Sequence, residues 1–277
     1  MSETNQVIQT LGAEFSPPDL RDYKIAKASI GADFPEEFEL DMPPVKNQGS
    51  VGSCVAHAIA TSAEYFNKRQ HDLDIELSVG YIYGNRVFPL GTGSGMVTRY
   101  AIANFCADGA PFLTDFPLHC EVPDIITAVE AKKEELHDKA SKFRFTAYVK
   151  VAKEEELKTA LMDGNPIIIA VDWYDDMQVK DGKFYSAKKK KDGGHAMVIY
   201  GWDKDGWKVQ NSWGILWGNH GTAVWPYDYK LRECYAIIDT EDTHLDIDTP
   251  HSAKTPFGKW CVRVGNRVYA FFYNLFH

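Results

Sequence analysis

The chain has 277 residues, of which 44% are hydrophobic and 25% charged. That composition excludes global disorder and a collagen-like fibre, and the length suits one large domain or two lobes around a real core. Thirty basic residues against 39 acidic ones leave a formal charge of −9, so diffuse electrostatic binding to nucleic acid is not expected. No apolar run reaches the roughly 18 residues that a membrane-spanning helix needs.

The first 32 residues are polar and carry the breaker Ser16-Pro17-Pro18-Asp19. They read as an extended arm, a candidate for a short pro-segment. The N-terminus has neither a basic region nor an apolar stretch of the secretory kind. The five cysteines, Cys54, Cys106, Cys120, Cys234 and Cys261, form no disulfide framework and no metal-ligand spacing. The expectation is a reducing compartment, cytoplasmic by default. A protein delivered to a host or packed in a virion would share these features. Neither metal nor cofactor is expected.

From Phe34 the chain gains apolar and turn residues. Asp41 to Ser50 holds two prolines and a glycine and cannot be helical. Cys54 to Phe66 has no breaker and is crowded with alanines, which predicts a buried helix with Ser53 as N-cap. Gly91 to Gly95 reads as a loop. Helices are predicted over Met96–Cys106, Ile125–Phe143 and Glu154–Met162, the last closed by Gly164.

After Asn165 the pattern turns to strand: Ile167–Val171, His195–Gly201, Trp207–Gln210, Thr222–Trp225 and Tyr235–Ile238. Asp203–Gly206 makes a hairpin turn between the second and third. The segregation predicts an α+β fold. A helical N-terminal lobe faces an antiparallel β C-terminal lobe across a cleft. Residues 33–240 form that unit, 241–256 a linker, and 257–277 a β-hairpin tail. The tail's aromatic load suits either docking on the β lobe or a protein partner.

Cys54 opens a helix after a glycine-rich loop, where the dipole and unpaired N–H groups favour a thiolate. His195 follows Gly193-Gly194 and opens a buried strand. Asn211 ends the partner strand. Each of these has an ordinary structural reading when taken alone. Together, Gln48-Gly-Ser-Val-Gly-Ser-Cys54, Gly194-His195-Ala196 and Asn211-Ser-Trp-Gly-Ile-Leu-Trp-Gly218 resemble the papain-like cysteine peptidases.

The resemblance implies the two-lobed papain-like fold and hydrolysis of peptide bonds, with a peptide or protein as substrate. Cys54 would be the nucleophile, His195 the general acid and base, Asn211 the residue orienting the ring, and Gln48 an oxyanion donor. Trp213 would cover the His195–Asn211 bond. Gly93, Ser94 and Gly95 would bind substrate backbone, with Gly194 and Trp213 beside them. A binding module with little turnover, or an acyl-transfer enzyme such as a ligase or amidase, would use the same residues.

Two departures stand out. Val51 replaces the family's usual disulfide cysteine, and Val55 its usual tryptophan. His57 is read as structural. Lys188 to Lys191 reads as a solvated loop. Gly91-x-Gly93-x-Gly95 has the wrong spacing for a dinucleotide fingerprint. Asp203–Gly206 lacks the glutamate that a calcium loop needs at its twelfth position, which is Gly214.

Overall fold

The computed structural model describes residues 10–17, 33–86 and 95–239. The predicted tail, the linker and most of the Gly91–Gly95 loop lie outside the described residues. Strand β1 (Ala13–Glu14) belongs to the arm and β2 (Phe38–Glu39) to the segment after it. Helix α1 (Cys54–His71), α2 (Val79–Gly84), strand β3 (Met96–Val97), α3 (Thr98–Asp108) and α4 (Ile125–Ala140) make the helical half.

The β half begins with β4 (Ala147–Lys150) and α5 (Glu154–Met162). It continues through β5 (Ile167–Tyr174), β6 (Gln178–Lys180), β7 (Lys183–Tyr185), β8 (Lys191–Asp203), β9 (Gly206–Gln210), β10 (Thr222–Pro226) and β11 (Glu233–Ile238). These strands pair in the order β4-β11-β5-β8-β9-β10-β7-β6, and β2 adds to β8. Every pairing in this sheet is antiparallel except that of β10 with β7. The predicted α+β architecture is the one observed.

The sequence explains why α1 lies at the centre. Its residues Cys54 to Asn67 are all buried, so no solvated face exists along that stretch. Alanines at 56, 58, 60 and 63 let neighbouring elements approach on several sides. Lys68, Arg69 and His71 in the last turn complement the negative end of the helix dipole. Ser53 stands at the N-cap position as expected, but its side chain caps no helical N–H. Its Oγ faces His57 Nδ1 instead, at 3.3 Å.

Helix α1 packs on β3, β5 and β8. Strand β5 is buried from Ile167 to Val171, as is β8 from Gly194 to Ile199. Their pairing sets Val171 opposite His195. A strand covered on both faces reads as a continuous apolar run, which is why both were legible as strands. A buried carboxylate ties the loop before α1, the helix itself and the segment before α2 together. Lys46 Nζ lies 2.9 Å from Glu64 Oε2, and Glu64 Oε1 accepts the N–H of Leu77.

Helix α3 starts two residues later than predicted. Met96 and Val97 are β3 and pair in parallel with Ala13 and Glu14 of the arm. That pairing joins residues more than 80 positions apart, and local propensity carries no trace of it. In the lysine run, residues 188–190 are exposed and outside any strand, as expected, and only the last departs. Lys191 is the first residue of β8, pairs with Asp172 and lies over the Phe15 ring.

Candidate active site

Cys54 sits at the first position of α1 and is fully buried. Against the larger effect of burial, the backbone N–H groups of Ala196, Val55, Gly12 and Cys54 itself pull its thiol downward. Helix α1 packs on β8, the strand that carries His195 and Ala196, across the junction of helix and sheet. Burial pushes the Cys54 thiol up to about 11 and the His195 imidazole down to about 4. Both groups are therefore neutral in this arrangement.

His195 Nε2 lies 2.7 Å from Asn211 Oδ1. The N–H of Ser212 also donates to that Oδ1, at 2.7 Å, which fixes the amide's oxygen end. Nε2 therefore carries the proton, and Nδ1 is left with its lone pair. Among the described residues this buried Nδ1 has no hydrogen-bond partner. The Trp213 ring stacks on the imidazole at 4.4 Å and Trp173 meets it edge-on at 5.1 Å. The two indoles hold the ring's plane and keep water from the His195–Asn211 bond.

Gln48 lies in the loop before α1. Its Oε1 accepts the Ser212 hydroxyl at 2.6 Å, so its Nε2 is the donor end, and it donates to the Val51 carbonyl of its own loop at 2.9 Å. The Gln48 N–H bonds the Ser212 carbonyl at 2.8 Å. Loop and sheet are thus bolted together beside the sulfur. His57 is buried one helical turn on, with Nδ1 3.0 Å from the Ser53 carbonyl, and burial pushes it down to about 4. It braces the start of α1.

The arm lies directly over this constellation. The Thr10 carbonyl accepts from Gln48 Nε2 at 2.9 Å and from the Trp213 indole at 3.2 Å. The Gly12 N–H donates to the Gly194 carbonyl at 3.1 Å, and the Gly12 carbonyl accepts from Met96 at 2.8 Å. One glycine therefore bonds to both halves. A Cβ at Gly12 would meet the Gly52 carbonyl at 1.9 Å, one at Gly194 the Ala13 carbonyl at 2.1 Å, and one at Gly95 the Gly12 carbonyl at 2.6 Å. Glycine at these three places is what lets arm and groove close together. Gly93 and Ser94 lie outside the described residues.

Farther along, Phe15 is clasped by Lys191 and Arg232. Ser16 donates from both its N–H and its hydroxyl to buried Glu233, whose carboxyl burial raises and Ser16 lowers. Arg99 donates to the Pro17 carbonyl at 2.6 Å. Sequence reading singled out none of Thr10, Gly12, Arg99 or Glu233, and took Ser16 only as the start of a chain breaker. The one available signal was a glycine within an otherwise side-chain-bearing stretch of the arm.

A helix presenting a cysteine to a histidine–asparagine pair on an antiparallel sheet defines the papain-like class of folds. The family profile described as papain family cysteine protease matches residues 33–235, and the chain belongs to that family.

Among curated relatives it is 26% identical over 208 residues to an uncharacterized peptidase C1-like protein of Acanthamoeba polyphaga mimivirus. That match covers 68% of this chain and 65% of the relative. It is 28% identical over 196 residues to mouse cathepsin K, covering 65% and 55%. The chain thus spans less than two thirds of these relatives' lengths. Among solved structures, xylellain, a cysteine protease from Xylella fastidiosa, superposes with a TM-score of 0.71 at 24% identity. The match covers 83% of this chain and 96% of that one. That likeness concerns the fold. Among the described residues no helix is long and apolar enough to cross a membrane.

Proposed function

We propose that this chain is a cysteine endopeptidase whose arm covers the reacting groups in its resting state. The observation that carries the reading is the His195 ring. It is protonated toward Asn211 and buried, and its Nδ1 lone pair is unengaged on the strand against which the Cys54 helix packs. Once the arm leaves and water relieves the burial, Nδ1 takes the thiol proton. The thiolate adds to the substrate carbonyl carbon, and Gln48 Nε2 donates to the developing oxyanion. The tetrahedral species collapses to a thioester as the C–N bond breaks, and His195 gives its proton to the departing amine. Water, deprotonated by the same nitrogen, then hydrolyses the thioester and returns Cys54 as thiol.

The arm supports the endopeptidase reading because an extended chain already runs past Cys54 on both sides, from Thr10 to Ser16. Its Gly12 carbonyl is held by the Met96 N–H and not by Gln48, whose donor is taken by the Thr10 carbonyl.

The test uses the full chain carrying Gly12→Val, which cannot keep the close approach at Gly52. It should hydrolyse internally quenched peptides and show a Cys54-linked acyl adduct by mass spectrometry. Products joined to an added amine in preference to water would make it an acyl-transfer enzyme. Peptide binding without any adduct would make it a binding module.

A further inference from the structure

We propose that the groove holds a pocket that selects a hydroxyl-bearing side chain, serine or threonine, on the bound peptide. The pocket is formed by Glu233, the backbone N–H of Arg99 and the Tyr235 hydroxyl. The inference rests on the peptide-binding reading above and adds to it a class of substrate. The pocket lies four residues along the extended arm from Gly12, roughly 13 Å from the sulfur at strand spacing.

The bonds at Ser16 are those of a hydroxyl reader. Its Oγ donates to Glu233 Oε2 at 3.0 Å, accepts from the Arg99 N–H at 3.1 Å and receives the Tyr235 hydroxyl at 3.5 Å. One donor and two acceptor sites are all that a hydroxyl possesses, and all are used. With the arm seated, the receiving residues are dry, Glu233 6%, Arg99 4% and Tyr235 0% exposed. An aliphatic side chain there leaves a carboxylate oxygen and the Arg99 amide without the hydroxyl that pairs them, which is the basis of strong discrimination.

A lysine or arginine is disfavoured too. Lys150 and Arg99 already act on the Glu233 carboxyl, so a third cation would lack an unbalanced charge to meet. An acidic side chain would face Glu233 itself. A neutral hydroxyl satisfies every group without adding charge.

The experiment uses full-length Gly12→Val/Cys54→Ala protein and a positional-scanning set of fluorescent peptides. Each varies one position among Ser, Thr, Ala, Leu, Arg and Glu. Binding should favour Ser or Thr at one position over Leu and Arg by about tenfold or more, the scale of a buried hydrogen-bond set. Glu233→Leu should invert that order toward Leu, and Tyr235→Phe should narrow it. Glu233→Gln, which keeps shape and acceptor, should retain it and so controls for misfolding. Preference for Leu or Arg, an order unchanged by Glu233→Leu, or no peptide bound at all overturns the pocket. Hydrolysis by the Gly12→Val chain with Cys54 intact is read separately. Hydroxyl-selective binding without hydrolysis retires only the peptidase reading, and hydrolysis without selection retires only the pocket.

Discussion

At His195 the structure does three things with one ring. Asn211 sets the tautomer, Trp213 and Trp173 set the plane, and burial sets the charge state. Gln48 shows the same economy, because its carbonyl end is spent on Ser212 and its amide end is shared between Val51 of its own loop and the Thr10 carbonyl in the groove. In the Gly12→Val background, Gln48→Ala should lower kcat by about 10²–10³, the usual cost of one oxyanion donor, with little change in KM. An equal loss through KM alone would mean that Gln48 only binds. Gln48, Cys54, His195 and Asn211 were singled out together, by their resemblance to the papain-like motifs, since each alone reads as an ordinary structural residue. Glu233 was not legible. Its meaning comes from Ser16, 217 residues away, and within its own strand it reads as any other carboxylate.

The arm is the element that decides what the groove does. It is held at Thr10 by Gln48 and Trp213, at Gly12 by both halves, and at Ser16 by Glu233. Ser16→Ala removes one charge-assisted hydrogen bond, worth about 1.5–3 kcal/mol, so thiol modification should quicken by about one to two powers of ten if opening limits it. An unchanged rate would show that Ser16 does not hold the arm. The loop–helix ion pair makes a contrasting case. Lys46→Met strands Glu64 in the interior and should cost about 3–5 kcal/mol in urea unfolding. A loss below 1 kcal/mol, the range of exposed pairs, would contradict that account. Helices α1, α4 and α5 were readable because their apolar spacing and end signals are local. Strands β1 and β3 were not, because two residues paired with two carry no periodicity of their own.

At the scale of the whole molecule, acid should loosen the fold. His57 and His195 are held neutral with folded values of about 4, against about 6.5 in the unfolded chain. Below 6.5 the unfolded chain therefore binds protons that the folded chain refuses. The stability these two supply is complete above pH 6.5 and is lost as pH falls toward 4, at about 3 kcal/mol each. Buried Glu64 and Glu233, raised by burial, act in the opposite sense and offset part of the loss. His57→Gln should flatten the fall in the urea midpoint between pH 7 and 4.5, and an unchanged slope would remove His57 from this role. The division into a helical and a β half followed from where apolar periodicity changes. What the chain's linear pattern could not reveal is that its first described segment closes over the junction of the two.

The most direct test is to follow modification of Cys54 by a thiol-directed peptidyl epoxide, mapped by mass spectrometry, in the full-length chain and in Gly12→Val. Slow labelling of the native chain, fast labelling of the variant at Cys54 alone, and loss of that labelling with His195→Ala are predicted. Equal rates in the two chains, or labelling that does not need His195, would contradict a nucleophile held covered by the arm and ionised by the histidine.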